Sequence, residues 1–461
     1  MTADTLHVAE HVAGVRYDDL PPAVIAKVKT FLLDTLGVGM AGSSGAKVAD
    51  LARLARSWGG DAEATVWLTG DRMSAQSAAI VNAYQIHCLE FDCVHEGAVL
   101  HPMATILSAV LAWAEREAAQ GRVMSGRDLI AALAVGVDVS TMLGLATKAP
   151  IRFFRPATAG GFGAAAAIAR LMGMGPVQVM DALGAQYSQA SGTLQPHVEG
   201  SPMLGMQVGF NARAAIVSCD LAAAGFRGPH DILTGRYGYL PMFEGDYDLA
   251  PVLATLGRDW QILAMSHKPW PSGRLTHGVI DGLGQLMARH GFAAADIAQI
   301  NAKVPPLNYR LVGRPDIPDP EPNYAKLCLA YVAGAFLARG HVDVPDFRPP
   351  VLTDPRVHDF ARCVAVELDT DNPDQNALDP QTITVRLSSG AVHVITLPHV
   401  YGHPENPLSS AENEAKFRRC LSYAAGSVQA EQADRIIAAV AGLDGMDDIS
   451  ALARLTVAGA S

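Results

Sequence analysis

The sequence lacks an excess of basic residues, which removes two common classes of binding partner. Its formal net charge is −11 at neutral pH, whereas nucleic acids and anionic membranes bind proteins through basic surfaces. We therefore expect neither nucleic acid nor a membrane as a partner. An anionic small molecule stays compatible with this charge, because a small site needs only a few local cations.

Closely spaced cysteines and long apolar runs are also missing. No two of the six cysteines form a Cys-x-x-Cys pair, and an iron–sulfur site normally needs three or four thiolates at a recognisable spacing. From this cysteine pattern we expect no metal or iron–sulfur site. No apolar run reaches the ~20 residues that a membrane span requires, and no signal peptide is evident. The sequence thus predicts a soluble protein of the reducing cytoplasm.

The chemistry-bearing residues are concentrated in one stretch, Asn82 to Thr105. This stretch reads NAYQIHCLEFDCVHEGAVLHPMAT and holds three histidines, three carboxylates and two cysteines within 24 residues. The pattern predicts a helix from about Met73 to Phe91, a break at Gly97, and a second helix opened by His101-Pro102. The start of a helix favours an anion.

Two interpretations of this stretch follow from its residue types. His101, facing Glu90 and Asp92 across a short loop, would make an acid/base site for a carboxylate substrate, because the pKa of an unperturbed histidine is near ~6.5. Alternatively, the same polar residues would only cap and join two buried helices. Residue types alone leave both interpretations open.

The pattern of apolar residues predicts a mainly α protein in two parts. A chain of 461 residues with 49% hydrophobic residues is long enough for more than one core. Helical spacing dominates up to about residue 260, whereas period-two segments follow it, including a hairpin that turns at Ser389-Gly390. We expect a large all-helical domain over residues 1–268, which the helices of residues 398–461 could rejoin, and a second, smaller α+β domain inserted at residues 269–397.

One glycine-rich segment superficially suggests a dinucleotide cofactor. Gly161-Phe162-Gly163 has small residues behind it, but no clear strand precedes it and no acidic residue ends a second strand about 20 positions on. We expect close helix packing at this segment.

Several stretches together resemble the MmgE/PrpD family, whose members include 2-methylcitrate dehydratase, cis-aconitate decarboxylase and iminodisuccinate epimerase. They occur in the family's order over nearly the whole chain: FLLDTLGVGMAG, IHCLEFDCVHEGAVLHP, FGAAAAIARLMG, GFNARAAIVSCDLAAAGFRGP, HKPWPSGRLTHGVID, LVGRP and GHPENPLSSAENEAKF. The resemblance implies a helical domain built from both chain ends, an inserted α+β lid, a homodimer, and chemistry without a metal or organic cofactor.

The resemblance also implies roles for individual residues. The catalytic candidates are His101, Lys268, Asp92 and Glu90. The substrate-binding candidates follow from their residue types and positions, not from the resemblance, and are Arg274, Arg314, Gln207, His87 and Cys93. His87 and Cys93 could instead pack against or support the site. Arginine suits a carboxylate because its guanidinium can bind it bidentately, whereas Lys268 could instead be a salt bridge at the domain junction and Arg274 could only pin the lid helix.

The chain departs from the family pattern at several positions, and at three of them a histidine, a lysine and a tyrosine of the family are missing. A histidine of the decarboxylases falls on Phe154 or, with a shift of one residue, on Arg155. A family lysine is replaced by Leu204, and a lid tyrosine falls on Leu311. These departures predict a different substrate or a rearranged anion site.

The leading functional hypothesis is a cofactor-independent lyase, a dehydratase of a small hydroxy di- or tricarboxylate that works by proton abstraction beside a carboxylate. An epimerase of a small dicarboxylate such as iminodisuccinate is the first alternative, and it requires a second base opposite His101. Decarboxylation of a cis-aconitate-like acid ranks third. A non-catalytic binding protein is the remaining alternative.

Overall fold

A computed structural model describes residues 3–459, and its first half is helical. Eleven α-helices come before residue 260: α1 Ala3–Gly14, α2 Pro22–Gly42, α3 Val48–Ser57, α4 Ala75–His87, α5 Pro102–Ala119, α6 Gly126–Leu145, α7 Arg155–Leu171, α8 Pro176–Tyr187, α9 Gln195–Glu199, α10 Met203–Ala223 and α11 Ala250–Thr255. Four two-residue strands join them in pairs: β1 Ala64–Thr65 with β2 Arg72–Met73, and β3 Val94–His95 with β4 Met265–Ser266. The prediction of a mainly α fold is confirmed.

One predicted helix boundary is wrong. The helix expected to run to Phe91 ends at His87, because the chain turns there and Glu90 takes a left-handed φ of 54°. Gly161-Phe162-Gly163 lies inside α7, where a Cβ on Gly163 would overlap the backbone of Gly136 in α6. Close helix packing is therefore confirmed at this segment.

Helix α6 has the length and the mean hydropathy, 1.7, that a membrane span would need. It is the one such helix among residues 3–459, and 89% of its apolar window is buried inside the protein. Arg127, Asp128 and Asp138 interrupt it, so it is not an unbroken apolar run. A helix this deeply covered by its neighbours serves as a core helix.

The inserted segment carries the main sheet. Its elements are α12 His277–His290, β5 Ile297–Val304, α13 Pro306–Val312, α14 Pro322–Lys326, α15 Leu329–Arg339, α16 Pro355–Ala361, β6 Val364–Leu368, β7 Gln381–Leu387 and β8 Val392–Leu397. The strand order is β6-β5-β7-β8, with β5 and β6 parallel and the other neighbours antiparallel. The predicted hairpin is present as β7 and β8, and Gly390 in its turn has a left-handed φ of 88°.

The chain then returns to the first helical layer through α17 Ser410–Leu421, α18 Ala430–Ala441 and α19 Ser450–Leu455. A capping box begins α17: the Ser409 hydroxyl accepts from the Glu412 backbone N–H, and the Glu412 carboxylate accepts from the Ser409 backbone N–H. Helix α17 packs along α2.

Two hydrophobic cores result. One is formed by the helices before residue 266 together with α17 to α19, and the other lies between α12, α15 and the sheet. A small sheet region beside a large helical one is what the sequence predicts. The domain boundaries at 268/269 and 397/398 stay predictions.

Small residues bring α2 against its neighbours. A Cβ on Gly39 would lie 2.6 Å from the ring of Trp67, and a Cβ on Gly42 would overlap the carbonyl oxygen of Gln85 in α4. This close approach matters for the site, because α4 ends at His87 only two residues after Gln85.

Gly42→Ala should therefore destabilise the fold. The methyl group cannot fit against the backbone of α4 without moving it, and such overpacking costs about 1–3 kcal/mol. Urea denaturation followed by circular dichroism measures the loss. Gly14→Ala is the matched control, because a Cβ there meets nothing within 4 Å. Equal stability of the two variants would contradict the close α2–α4 contact.

Candidate active site

The candidate site is built on the loop between α4 and α5, residues 88–101. The loop is held from behind by lysines of distant segments: Lys326 Nζ donates to the Cys88 carbonyl at 2.7 Å, and Lys416 Nζ donates to the Phe91 carbonyl at 2.9 Å. Lys416 also pairs with the buried Asp34 at 2.6 Å. The loop conformation thus depends on the inserted segment and on the C-terminal helices.

A short antiparallel pairing brings Lys268 to this loop. Val94 of β3 pairs with Ser266 of β4, so the residues two positions further out, Asp92 and Lys268, lie across from each other. Lys268 is fully buried, and its Nζ lies 3.9 Å from Asp92 Oδ1. The topology therefore joins two predicted catalytic residues that are far apart in the sequence.

Four of the predicted residues form one buried polar cluster. Lys268 Nζ donates to Glu90 Oε2 at 2.7 Å. His87 Nδ1 lies 2.9 Å from Asp92 Oδ2, and its Nε2 lies 3.5 Å from Glu90 Oε1. Two carboxylates therefore share one ammonium and one imidazole, which satisfies charges that burial would otherwise make costly.

The pKa values of the cluster follow from these contacts. Burial alone would raise the pKa of Glu90 and of Asp92. The positive charge of Lys268 outweighs burial at Glu90, and His87 and His101 outweigh it at Asp92, so both pKa values are lowered. Burial opposes the charged form of His87, yet Asp92 and Glu90 raise its pKa above the ordinary value. The cluster thus favours two carboxylates, an ammonium and an imidazolium.

His101 differs from His87, because its surroundings favour the neutral ring. Its Nδ1 lies 3.1 Å from the Cys93 carbonyl oxygen and 3.4 Å from Asp92 Oδ2. Both partners are acceptors, so Nδ1 carries the hydrogen and the lone pair of the neutral ring is on Nε2. Burial, and then the charge of Lys268, lowers the pKa of His101. The ring is therefore neutral near pH 7, with a basic nitrogen that makes no hydrogen bond within residues 3–459.

A cavity of about 70 Å³ lies beside His101 and Glu90. Its wall is contributed by both cores and is mostly apolar: Val94, Val99, Ile151, Phe154, Pro156, Leu194, Leu204, Gly273, Leu275, Leu311, Leu327 and Leu378. The polar groups at its surface are Glu90, His101, His197 and Arg274.

His197 is a site residue that the sequence did not single out. It lies in a short helix within a Gly- and Pro-broken segment, and only this break and the histidine itself could have signalled it. Arg314 Nη2 donates to His197 Nδ1 at 2.9 Å, so the ring hydrogen is on Nε2. Burial, and then the charge of Arg314, lowers the pKa of His197 to about 4. His197 is thus a neutral donor on the wall of the same cavity.

Arg314 lies behind His197 and has an unusual charge environment. Its guanidinium carbon Cζ lies 4.8 Å from the centroid of the Tyr324 ring. Nη2 donates to the Leu311 carbonyl, whereas Nη1 is buried and has no hydrogen-bond partner within residues 3–459. No carboxylate within residues 3–459 lies within ion-pair distance of it. One uncompensated cation therefore lies behind the cavity wall.

The three departures from the family pattern meet at this cavity. Phe154, Leu204 and Leu311 all contribute to its wall. Arg155, the alternative match for the family histidine, is fully buried and points elsewhere. Its guanidinium binds the Glu244 carboxylate at 2.9–3.1 Å and the Ala98 carbonyl at 2.9 Å. Phe154 is consequently the residue that faces the cavity.

The other predicted substrate-binding residues have protein partners already. Arg274 borders the cavity, but its guanidinium donates to Glu96 Oε1 and to the backbone carbonyls of residues 400 and 401. The Gln207 side chain accepts from the Thr193 backbone N–H and donates to the Thr193 carbonyl. The Cys93 thiol is buried. In this structure Arg274 pins the chain after β8, Gln207 fastens the segment before α9, and Cys93 orients His101 through its carbonyl.

One part of the cluster has the composition of a metal site. The ligand atoms of His87, Asp92 and His101 lie within 4.8 Å of one another. However, both histidines direct Nδ1 at the same Asp92 oxygen, and the Lys268 ammonium already supplies positive charge at the carboxylates. The donor set therefore fits proton transfer better than it fits a divalent cation.

Comparison with known proteins identifies the family. The family model for the MmgE/PrpD N-terminal domain matches residues 6–251, and that for the MmgE/PrpD C-terminal domain matches residues 270–443. The chain belongs to the MmgE/PrpD family. It is 28% identical to a cis-aconitate decarboxylase of Homo sapiens, over 97% of this chain and 93% of that protein. It is 26% identical to a cis-aconitate decarboxylase of Aspergillus terreus, over 99% of this chain and 95% of that protein.

Lys268→Met should raise the pKa of His101. The ammonium lowers that pKa, so its removal leaves the imidazolium beside Asp92 and Glu90 without opposing charge. NMR titration of labelled histidine rings measures the change directly. Lys148→Met removes an exposed lysine that has no ion pair within residues 3–459 and should leave the titration of His101 unaltered. An unaltered His101 in Lys268→Met would exclude this electrostatic coupling.

Proposed function

We propose that this protein is an enzyme that removes a proton from the carbon beside a carboxylate of a small acid, with His101 as the base. The observation that carries the proposal is that two neutral histidines with opposite hydrogen-bonding roles border one cavity. Nε2 of His101 can accept a proton, whereas the N–H at Nε2 of His197 can donate a hydrogen bond. Carbon-acid chemistry needs both a base for the proton and a donor for the charge that develops on oxygen.

In this proposal each polar group has one task. Asp92 and the Cys93 carbonyl hold the His101 tautomer, and Asp92 then stabilises the imidazolium that forms. His197 donates to the substrate carboxylate as it gains enolate character. Arg314, behind His197, favours that negative charge because its own charge is uncompensated. Lys268 fixes Glu90 and keeps His101 neutral before the reaction.

The charges around the cavity favour a substrate with a single carboxylate. Lys268 is matched by Glu90 and Arg274 by Glu96, whereas Arg314, behind His197, has no carboxylate partner within residues 3–459. A di- or tricarboxylate would place further charge against Phe154, Leu204 and Leu311, where desolvation without a partner is costly. We propose a compact hydroxy acid whose remaining substituent is apolar, in place of the di- or tricarboxylate expected from the resemblance.

For the reaction itself we propose dehydration. His101 takes the α-proton, the enolate collapses, and the β-hydroxyl leaves with a proton returned by the His101 imidazolium, so that water and an α,β-unsaturated acid result. One base suffices for this sequence. The same proton abstraction followed by reprotonation on the other face would be epimerisation. Neutral His197 is poorly suited to that second step, because burial lowers its pKa to about 4.

Decarboxylation is the second candidate, and two observations favour it. The similar proteins from Homo sapiens and Aspergillus terreus are named cis-aconitate decarboxylases. An apolar wall would also favour conversion of a charged carboxylate into neutral carbon dioxide. The replacement of three polar family residues by Phe154, Leu204 and Leu311 at that wall argues against decarboxylation.

We further propose that the enzyme acts as a homodimer.

His101→Gln should abolish isotope exchange while leaving the fold intact. The purified protein is incubated in D2O with hydroxy acids of one, two and three carboxylates, and proton NMR follows loss of the α-proton signal. Removing the base should reduce the rate by at least about 100-fold. His7→Gln, at an exposed histidine, is the control. Full exchange by the His101 variant would remove this residue from the mechanism, and absence of exchange with the parent protein on every acid would favour a binding protein.

Leu204→Lys should shift selectivity toward acids with an additional carboxylate. The new ammonium would enter the apolar wall and offer a partner to a second negative group, so kcat/KM for polycarboxylates should rise relative to that for the apolar acid by roughly tenfold. Leu204→Met keeps the wall apolar and should retain the parental preference. An unchanged preference in the lysine variant would contradict the assignment of this wall to the substrate.

A further inference from the structure

The ends of the β7–β8 hairpin bring together three potential metal ligands. Gln381 pairs with Leu397 at the open end of the hairpin, so the residues two positions further out, Asp379 and His399, face each other by register. The next turn returns His403 to the same place, because its backbone N–H donates to the Val400 carbonyl. The rings of His399 and His403 stack with centroids 4.2 Å apart.

Most ligand atoms in this group have no hydrogen-bond partner. Both carboxylate oxygens of Asp379 and Nδ1 of His399 are buried and make no hydrogen bond within residues 3–459. The Val400 backbone N–H approaches the Asp379 carboxylate without forming a hydrogen bond of normal geometry, so burial of this group stays costly, and an ion is one of the few things that would satisfy both oxygens. His403 Nδ1 accepts from the Glu405 backbone N–H, which leaves its other ring nitrogen as the coordinating atom.

The spacing suits a first-row transition metal. The ligand atoms of Asp379, His399 and His403 all lie within 4.8 Å of one another, and Asp379 Oδ2 is 3.9 Å from His399 Nδ1. Tetrahedral Zn²⁺ with bonds near ~2.0–2.1 Å holds its ligand atoms about 3.3 Å apart. Small side-chain rotations would therefore close the group around one ion.

We infer that Asp379, His399 and His403 bind a divalent transition-metal ion, with water completing the coordination. Two imidazoles and one carboxylate are ligands that Zn²⁺ and its neighbours accept. The side chain of His399 is 42% exposed, so an ion has a path from solvent and room for a water ligand. The chemistry of the donor set excludes Ca²⁺ and Mg²⁺, which prefer oxygen ligands.

The ion would have a structural task near the candidate active site. Leu378, adjacent to Asp379, belongs to the cavity wall, and Arg274 bonds the carbonyls of residues 400 and 401 between the two histidines. Tying Asp379 to His399 and His403 would fix both chain segments that leave the hairpin toward the cavity. The site shares no residue with the His101 cluster, so this inference stands apart from the proposed function.

The test is a calorimetric titration of ZnCl2 into the full chain after treatment with a chelator. We expect saturable binding that also stabilises the protein in a thermal melt. Asp379→Asn and His403→Ala should each lower the affinity by more than the ~10–100-fold that loss of an outer-sphere partner costs. His393→Ala is the matched control, because His290 and His393 form a second stacked pair, 4.0 Å apart, that belongs to no such ligand group.

A parallel titration in His101→Ala separates this site from the catalytic cluster. Zinc binding that persists in His101→Ala and is lost in His403→Ala supports the inference. The inference is overturned if zinc does not bind saturably, if Asp379→Asn and His403→Ala bind it as the parent protein does, or if binding disappears only in His101→Ala.

Discussion

The buried ion pair between Lys268 and Glu90 is the interaction on which the candidate site depends. An isolated buried pair contributes little net stability, because desolvation offsets the Coulomb attraction, yet removing one partner costs about 3–5 kcal/mol. Here the pair is extended by Asp92 and His87 into a group in which each charge faces an opposite one. A fold that carries such a group in its interior is constrained around it, and His101 receives its neutral state and its orientation from that constraint.

The polar groups and the apolar wall of the cavity have different tasks in the proposed function. Proton transfer requires groups whose tautomers are fixed, and backbone and carboxylate acceptors fix them at His101 while a guanidinium does so at His197. In the proposed function, selectivity would instead be set by side chains with no polar atoms. Such a site would separate the reacting end of a substrate from its substituent, so that evolution could change one without disturbing the other.

The parts that sequence could predict are those encoded locally. The clustering of Glu90, Asp92 and His101 in one stretch, the mainly α pattern and the β7–β8 hairpin are all readable from spacing. The contact of Lys268 with Glu90 could be anticipated only through the family resemblance. It depends on the pairing of two strands that are over 170 positions apart in the sequence, and each strand has only two residues, which is too short for a recognisable pattern. His197 was missed because a histidine in a broken segment carries no periodic signal. Arg274 and Gln207 had the expected chemical type, but their hydrogen bonds are decided by neighbours that no local pattern specifies.

The lysine of α17 that supports the site loop has a consequence for how the chain matures. Lys416 contacts both Asp34 of α2 and the Phe91 carbonyl of the site loop. During synthesis α2 and the site loop leave the ribosome long before this lysine does, and domains generally begin to fold as they emerge. Until α17 has been made, Asp34 therefore lacks this buried partner and the site loop lacks this support.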